Sequence, residues 1–206
     1  FDALPIRQFQ KTENGWLERM VQLDGKGKLT FALSRNQLDS QRLSAAHDQA
    51  ARGAIFEYAP VRETFMEVIA QHLKVNGGFA LFIDYGHANS GFGDTLQAVR
   101  EHNYVSVFDR PGESDLTSHV DFEALTVIAQ ACGLCVTDTL TQGDFLTGAG
   151  IAQRSAQLAA KARPEAVNSI KSALARLTGS RQMGQLFKVK AVSSQPFDAH
   201  PLKFRH

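Results

Sequence analysis

Asp84, Tyr85 and His87 follow directly on an apolar run, Phe79-Ala80-Leu81-Phe82-Ile83. A carboxylate, a phenol and an imidazole this close together can hold a cation, pass a proton or line a polar crevice. The same residues also suit a surface turn, with the acid making the turn and the imidazole in solvent. Position alone leaves both readings open. A second polar knot, Thr117-Ser118-His119-Val120-Asp121, sets another imidazole just ahead of a helix start, where Asp121 reads as the N-cap. His87 and His119 could join Asp84 around a metal, but no histidine pair at close helical spacing supports one.

Other chemistries leave less trace. No G-x-S-x-G, P-loop or G-x-G-x-x-G occurs, so neither a nucleophile elbow nor a phosphate cradle is visible. Gly91-Phe92-Gly93 lacks the rest of the dinucleotide fingerprint. The two cysteines form Cys132-Gly133-Leu134-Cys135. A redox pair wants the N-terminal end of a helix, where the dipole lowers a thiol pKa. This pair ends an apolar helical pattern, with Gly133 as its C′ glycine, and reads as structural.

The elements that must position these residues can be read from periodicity. Trp16 to Leu23 and Leu29 to Leu33, joined by Asp24-Gly25-Lys26-Gly27, form a predicted β-hairpin. Residues 34–54 read as a loop with a short helix. Behind Pro60, the recurrence of Val61, Phe65, Val68, Ile69 and Leu73 predicts a helix buried on that face. Asn76-Gly77-Gly78 ends it, and Phe79 to Ile83 reads as a strand buried on both faces. Asp94-Thr95-Leu96-Gln97 has the form of a capping box opening a helix to about His102. Tyr104 to Phe108 reads as a short strand and Arg110 to Glu113 as a turn. After Asp121, Phe122, Leu125, Ile128, Ala129 and Cys132 mark another helix. Strands at 134–140 and 186–192, with helices between them breaking near Gly150 and Gly179, complete an alternating pattern. That pattern predicts an open, mostly parallel α/β sheet whose ligand edge lies where Asp84 to His87 emerge.

Length and charge narrow the classes. With 206 residues, 43% hydrophobic and a net charge of +1 spread along the chain, nothing points to nucleic acid or a membrane surface. Apolar runs are strand-sized, so no transmembrane span is expected. No secretory signal opens the sequence. Phe1-Asp2-Ala3-Leu4-Pro5 reads like the middle of a longer chain.

Six stretches, in order, resemble one family, the MidA-like S-adenosylmethionine-dependent methyltransferases. This family includes the mitochondrial complex I assembly methyltransferase and its bacterial relatives. The stretches run from Phe1 to Phe9, Leu81 to His87, Asp94 to Ala98, Pro111 to Phe122, Thr141 to Leu146 and Met183 to Val189. The resemblance is collinear from residue 1 to about 193. It implies the C-terminal half of a Rossmann-like class I methyltransferase sheet whose last strand is antiparallel. The hairpin at 16–33 would be an insertion, and 194–206 a tail. The glycine-rich cofactor loop and the ribose-binding acid would lie upstream of Phe1.

The resemblance also implies roles. Residues Phe1 to Pro5 would leave the fourth strand, with Asp2 as the catalytic carboxylate and Ala3, Leu4 and Pro5 against S-adenosylmethionine. Asp84, Tyr85, His87 and His119 would line the acceptor site. The acceptor would be a protein arginine, whose planar five-donor guanidinium is oriented by carboxylates. A complex I subunit is the implied substrate, and a homodimer is left open. The expected location is the bacterial cytoplasm, or the mitochondrial matrix in a eukaryote. The alternative is a non-catalytic assembly or docking factor that keeps the fold. A hydrolase or metal enzyme built on Asp84, His87 and His119 ranks third.

Overall fold

The computed structural model describes residues 1–196 and 204–205. Most of the expected tail at 194–206 lies outside the described residues. In chain order the elements are β1 (Arg7–Thr12), β2 (Gly15–Leu23), β3 (Leu29–Gln37), α1 (Ala45–Gln49), β4 (Ile55–Tyr58), α2 (Pro60–Asn76) and β5 (Phe79–His87). They continue with β6 (Gln97–Arg100), β7 (Asn103–Val105), β8 (Asp115–Thr117), β9 (Val120–Asp121), α3 (Phe122–Ala131) and β10 (Cys135–Thr137). The last are β11 (Leu140–Thr141), α4 (Gln142–Gly148), α5 (Ile151–Lys161), α6 (Pro164–Thr178), α7 (Met183–Leu186), β12 (Phe187–Ser193) and β13 (Phe204–Arg205). The chain divides into two compact units. One comprises Phe1, Glu63–Ser90 and His119 onward, and the other Asp2–Arg62 and Gly91–Ser118.

In the second unit the predicted hairpin is present, with β2 and β3 antiparallel. Asp24 accepts the backbone N–H groups of Lys26 and Lys28 at 2.8 and 2.9 Å, while Gly27 takes the left-handed conformation at φ 74°. The hairpin is half of a four-stranded antiparallel sheet, β3-β2-β1-β4, and β3 extends four residues beyond the expected Leu33, to Gln37. Phe9, Trp16 and Leu38 form its core, with Phe56 and Tyr58 packed against them. His47 lies against Trp16, Phe56 and Phe92, and burial lowers its pKa.

The helix expected after Asp94 is absent. Residues 97–100 form β6, the middle strand of a three-stranded sheet with β7 and β8. The Asp94 carboxylate is taken by Gln8 Nε2 at 2.9 Å and Arg19 Nη1 at 2.5 Å, so it does not cap a helix. Thr95 is bound to Glu57 through both its N–H and its hydroxyl. Glu101 and His102, at φ 50° and 64°, make a left-handed turn usually given to Asn-Gly, so the sequence carries no hairpin signal there.

In the first unit α2 buries Met66, Ala70 and Leu73. Of the expected face, Val61, Phe65 and Val68 are 43%, 50% and 60% exposed. Apolar residues occur on several sides of this helix, so periodicity alone did not choose among them. The buried stripe joins Val120, Phe122, Leu125 and Ala129 in one core with Val136 and Val192. The expectation of a mostly parallel sheet is also corrected. Strand β5 pairs antiparallel with β12 from Phe79 to Tyr85 and parallel with β9 only at Gly86 and His87. The β10, β11 and β13 pairings are antiparallel as well. Nor is β5 buried on both faces. Ala80 and Phe82 pack on the α2–α3 core, whereas Phe79, Leu81 and Ile83 are 56%, 39% and 47% exposed. On the face of the sheet away from that core, Val189 and Ala191 of β12 are covered by Leu140 and by Phe145 of α4. Asp121 caps α3 through a 3.0 Å bond from the Ala124 N–H. Cys132 is the C-cap and Gly133 follows at φ 82°, so the cysteine pair sits at the C-terminal end of the dipole.

Candidate functional site

Asp84, Tyr85 and His87 lie in the last four residues of β5, and His119 directly precedes β9. Asp84 lies near the end of β5, and its side chain is only 15% exposed. One carboxylate oxygen accepts the backbone N–H of Tyr85 at 2.8 Å and the other accepts the backbone nitrogen of Phe1 at 3.0 Å. Phe1 in turn packs edge-on against Phe65 and Phe82. Asp84 therefore ties the end of β5 to Phe1.

The structure brings Tyr85 and His119 together, with ring centroids 5.7 Å apart at 78°, and Tyr85 meets Phe187 edge-on at 5.5 Å. His87 faces Asp121 in the β5–β9 register. Its Nδ1 is buried without a hydrogen-bond partner among the described residues. Gly86 sits between these groups for a steric reason. A Cβ on Gly86 would lie 2.0 Å from the Val120 carbonyl oxygen, and no positive φ is involved. The absent side chain lets β9 close on β5, which sets His119 one residue from that contact.

Asp2, Ala3, Leu4 and Pro5 belong to the other unit. There the Asp2 carbonyl accepts the Ser118 N–H at 3.0 Å and Arg62 Nη2 at 2.9 Å. Among the described residues no group of three or more His, Cys, Asp and Glu side chains is placed to hold a metal ion.

The sequence reading missed three residues that matter here. Arg62 and Ser118 are 4% and 1% exposed, and they bond to each other as well as to Asp2. Lys190 is 4% exposed within β12 and donates to Thr139 Oγ1 at 2.9 Å. It lines a polar cleft of about 410 Å³ with Asn89, Glu123 and Asp138. A lysine alternating with Val189 and Ala191 in a core strand was the available signal. Burial brings the Lys190 amine down to about 8 from 10.5, against a smaller opposing pull from Asp138.

The sign of that shift gives a prediction. Below pH 8 both folded and unfolded chains hold the proton, and the fold bears the whole cost of a buried cation. From about 8 to 10.5 the unfolded chain retains a proton the folded one has lost, so stability rises with pH. In Lys190→Met this rise should vanish, and the protein should gain up to about 3 kcal/mol near neutrality. Urea unfolding across that pH range checks it, and an unchanged pH slope would refute it.

The cleft beside β5, lined by Phe1, Leu81, Ile83, Asp84, Val120 and Leu125, has a volume of about 200 Å³. Sites for ligands the size of S-adenosylmethionine run to about 300 Å³ or more. The cleft is walled mainly by apolar side chains, and this chain has no glycine-rich loop to cradle the cofactor. These residues do not hold the cofactor by themselves.

A family model described as "Putative S-adenosyl-L-methionine-dependent methyltransferase" matches residues 1–140. The mitochondrial protein arginine methyltransferase NDUFAF7 of Danio rerio is 32% identical over 194 residues, covering 93% of this chain and 45% of that protein. The Drosophila melanogaster homolog is 32% identical, covering 99% of this chain and 48% of its own length. A Burkholderia thailandensis protein described as a "likely methyl transferase", bound to S-adenosyl-homocysteine, superposes with a TM-score of 0.79 at 29% identity. It is covered over 51% of its length by 93% of this chain. A second structure from the same organism, an uncharacterized protein, gives 0.82 at 28% identity, covering 93% of this chain and 52% of its own. The chain spans about half the length of the curated relatives it matches.

Proposed function

Because the chain belongs to the S-adenosyl-L-methionine-dependent methyltransferase family that matches its residues 1–140, we propose that it is the C-terminal portion of a protein arginine methyltransferase. The observation that carries this reading is the match, over more than nine-tenths of the chain, to proteins named for that activity. The fold supports the partial-domain reading. Among the described residues β5 has no strand on its second edge from Phe79 to Tyr85, and Phe79, Leu81 and Ile83 stand exposed beside it. An open strand edge next to exposed apolar side chains suits a further strand. In a class I sheet the segment leading into Phe1 would supply it. The cofactor cradle would belong to that upstream half.

The cofactor supplies a methyl group on a sulfonium, and its transfer is an in-line displacement that depends on placing the acceptor nitrogen. In this chain the acceptor groups are those of the strand exits. The Asp2 carboxylate accepts guanidinium N–H groups and holds the attacking nitrogen in line. In the first unit Tyr85, His87 and His119, with Asp84 beside Tyr85 in β5, are the groups that would line an acceptor. The acceptor is a protein, with a respiratory complex I subunit as the substrate. The protein works in the bacterial cytoplasm or, in a eukaryote, in the mitochondrial matrix. No helix among the described residues is long and apolar enough to cross a membrane.

Incubation of the full-length protein with methyl-labelled S-adenosylmethionine and complex I subunits should place label on an arginine. A folded full-length protein that neither transfers label nor binds the cofactor by calorimetry would be a docking factor on the same fold instead.

A further inference from the structure

Arg62 occupies an unfavourable place for a cation. It is the third residue of α2, where the positive end of the helix dipole repels it, and it is only 4% exposed. By helical period it leads the stripe that continues through Met66, Ala70 and Leu73, a stripe otherwise apolar. A leucine or methionine there would avoid burying a charge, and such replacements are often neutral or stabilising. The bonds made by this guanidinium show what it holds in place. Nη2 donates to the Asp2 carbonyl at 2.9 Å, to Ser118 Oγ at 2.6 Å and to the Ser118 carbonyl at 3.2 Å. Ser118 closes the loop by donating its own N–H to the same Asp2 carbonyl at 3.0 Å.

We propose that Arg62, with Ser118, is a positioning residue that fixes the backbone of Asp2 and so aims its carboxylate at the acceptor guanidinium. The inference rests on the reading of Asp2 given above and adds the device that orients it. Two donors on one carbonyl remove the freedom of the peptide that carries the Asp2 side chain. One is a charged donor in a site with little water, where a charge-assisted bond is at its strongest. Reaction rate depends steeply on such placement, since an error of about 1 Å from a remote substitution can lower it about 100-fold. Neither Arg62 nor Ser118 touches the acceptor in this scheme.

The test uses the full-length protein in a single-turnover methylation assay, with cofactor binding followed by calorimetry and folding by thermal melting. Arg62→Met should lower the methylation rate about 10-fold to 100-fold while cofactor affinity stays within about twofold. Arg62→Lys keeps one charged nitrogen donor and should recover most of that rate. Ser118→Ala, a milder change, should lose a smaller factor and remain folded. The decisive arm is the Asp2→Asn background. There Arg62→Met should remove no further activity, because an aim without a carboxylate is worth nothing. Losses that multiply in the double variant, or a wild-type rate in both Ser118→Ala and Arg62→Lys together with a folded, fully active Arg62→Met, overturn the positioning role. If Arg62→Met does not fold, a full rate in Ser118→Ala overturns it, and a loss in Ser118→Ala that disappears in the Asp2→Asn background supports it. A wild-type rate in Asp2→Asn alone overturns the reading of Asp2, and this inference with it.

Discussion

Gly86→Ala is expected to lose most of its folded population, with a destabilisation of about 3 kcal/mol or more. The added Cβ would sit 2.0 Å from the Val120 carbonyl oxygen and 2.8 Å from both the Val120 nitrogen and carbonyl carbon. All three are backbone atoms, so no rotamer change can relieve the overlap. Val120 is itself fully buried and belongs to the core formed with Met66, Phe122 and Leu125. Relief therefore requires β9 to part from β5, and that core opens with it. A matched control separates this from a general effect of replacing glycine. Gly91 has nothing within 4 Å of its Cβ position, so Gly91→Ala should shift the urea midpoint little. Equal midpoints for the two variants would mean that β5 and β9 do not approach as closely as described. Because His119 directly precedes Val120, a folded residue of Gly86→Ala protein should also show an altered Tyr85–His119 contact by NMR.

The same contact shows what the sequence could and could not reveal. A helix behind Pro60, the turn after Asp24, the Asp121 cap and the breaks at Gly150 and Gly179 rest on bonds between near neighbours, and all are present. Local chemistry failed where a distant partner competed for the same group. Asp94 looked like a cap but is bound by Gln8 and Arg19, residues 86 and 75 positions away. Gly86 likewise answers to Val120, which is remote in sequence. The face of α2 was misjudged because several of its faces are apolar and only the packing of α3 selects one. The site followed the same division. Strand-exit residues could be picked from the end of an apolar run, and Tyr85 and His119 do meet. The roles of Arg62 and Ser118 were invisible because each looks ordinary in its own segment, and their meaning lies in the Asp2 carbonyl, far from both in sequence.

Asp2→Asn in the full-length protein should lower the rate of arginine methylation by about 100-fold to 1000-fold, with cofactor affinity unchanged. Asparagine keeps the shape of the side chain and one acceptor oxygen. It loses the negative charge that offsets the acceptor guanidinium, and charge-assisted bonds are roughly twice as strong as neutral ones. The main-chain bonds to Asp2 come from Ser118 and Arg62 and go to its carbonyl, so the substitution leaves them intact. Loss of activity with these main-chain bonds retained is thus the expected signature. Asp84→Asn should behave in the opposite way. Its carboxylate is committed to the Phe1 nitrogen and the Tyr85 N–H, so the change should lower stability by about 1–2 kcal/mol and the rate by less than tenfold. The pair of variants distinguishes an acid that handles the acceptor from an acid that ties β5 to Phe1. If Asp84→Asn abolished transfer while Asp2→Asn did not, the two roles would have to be exchanged, and the catalytic carboxylate would be the one that closes β5.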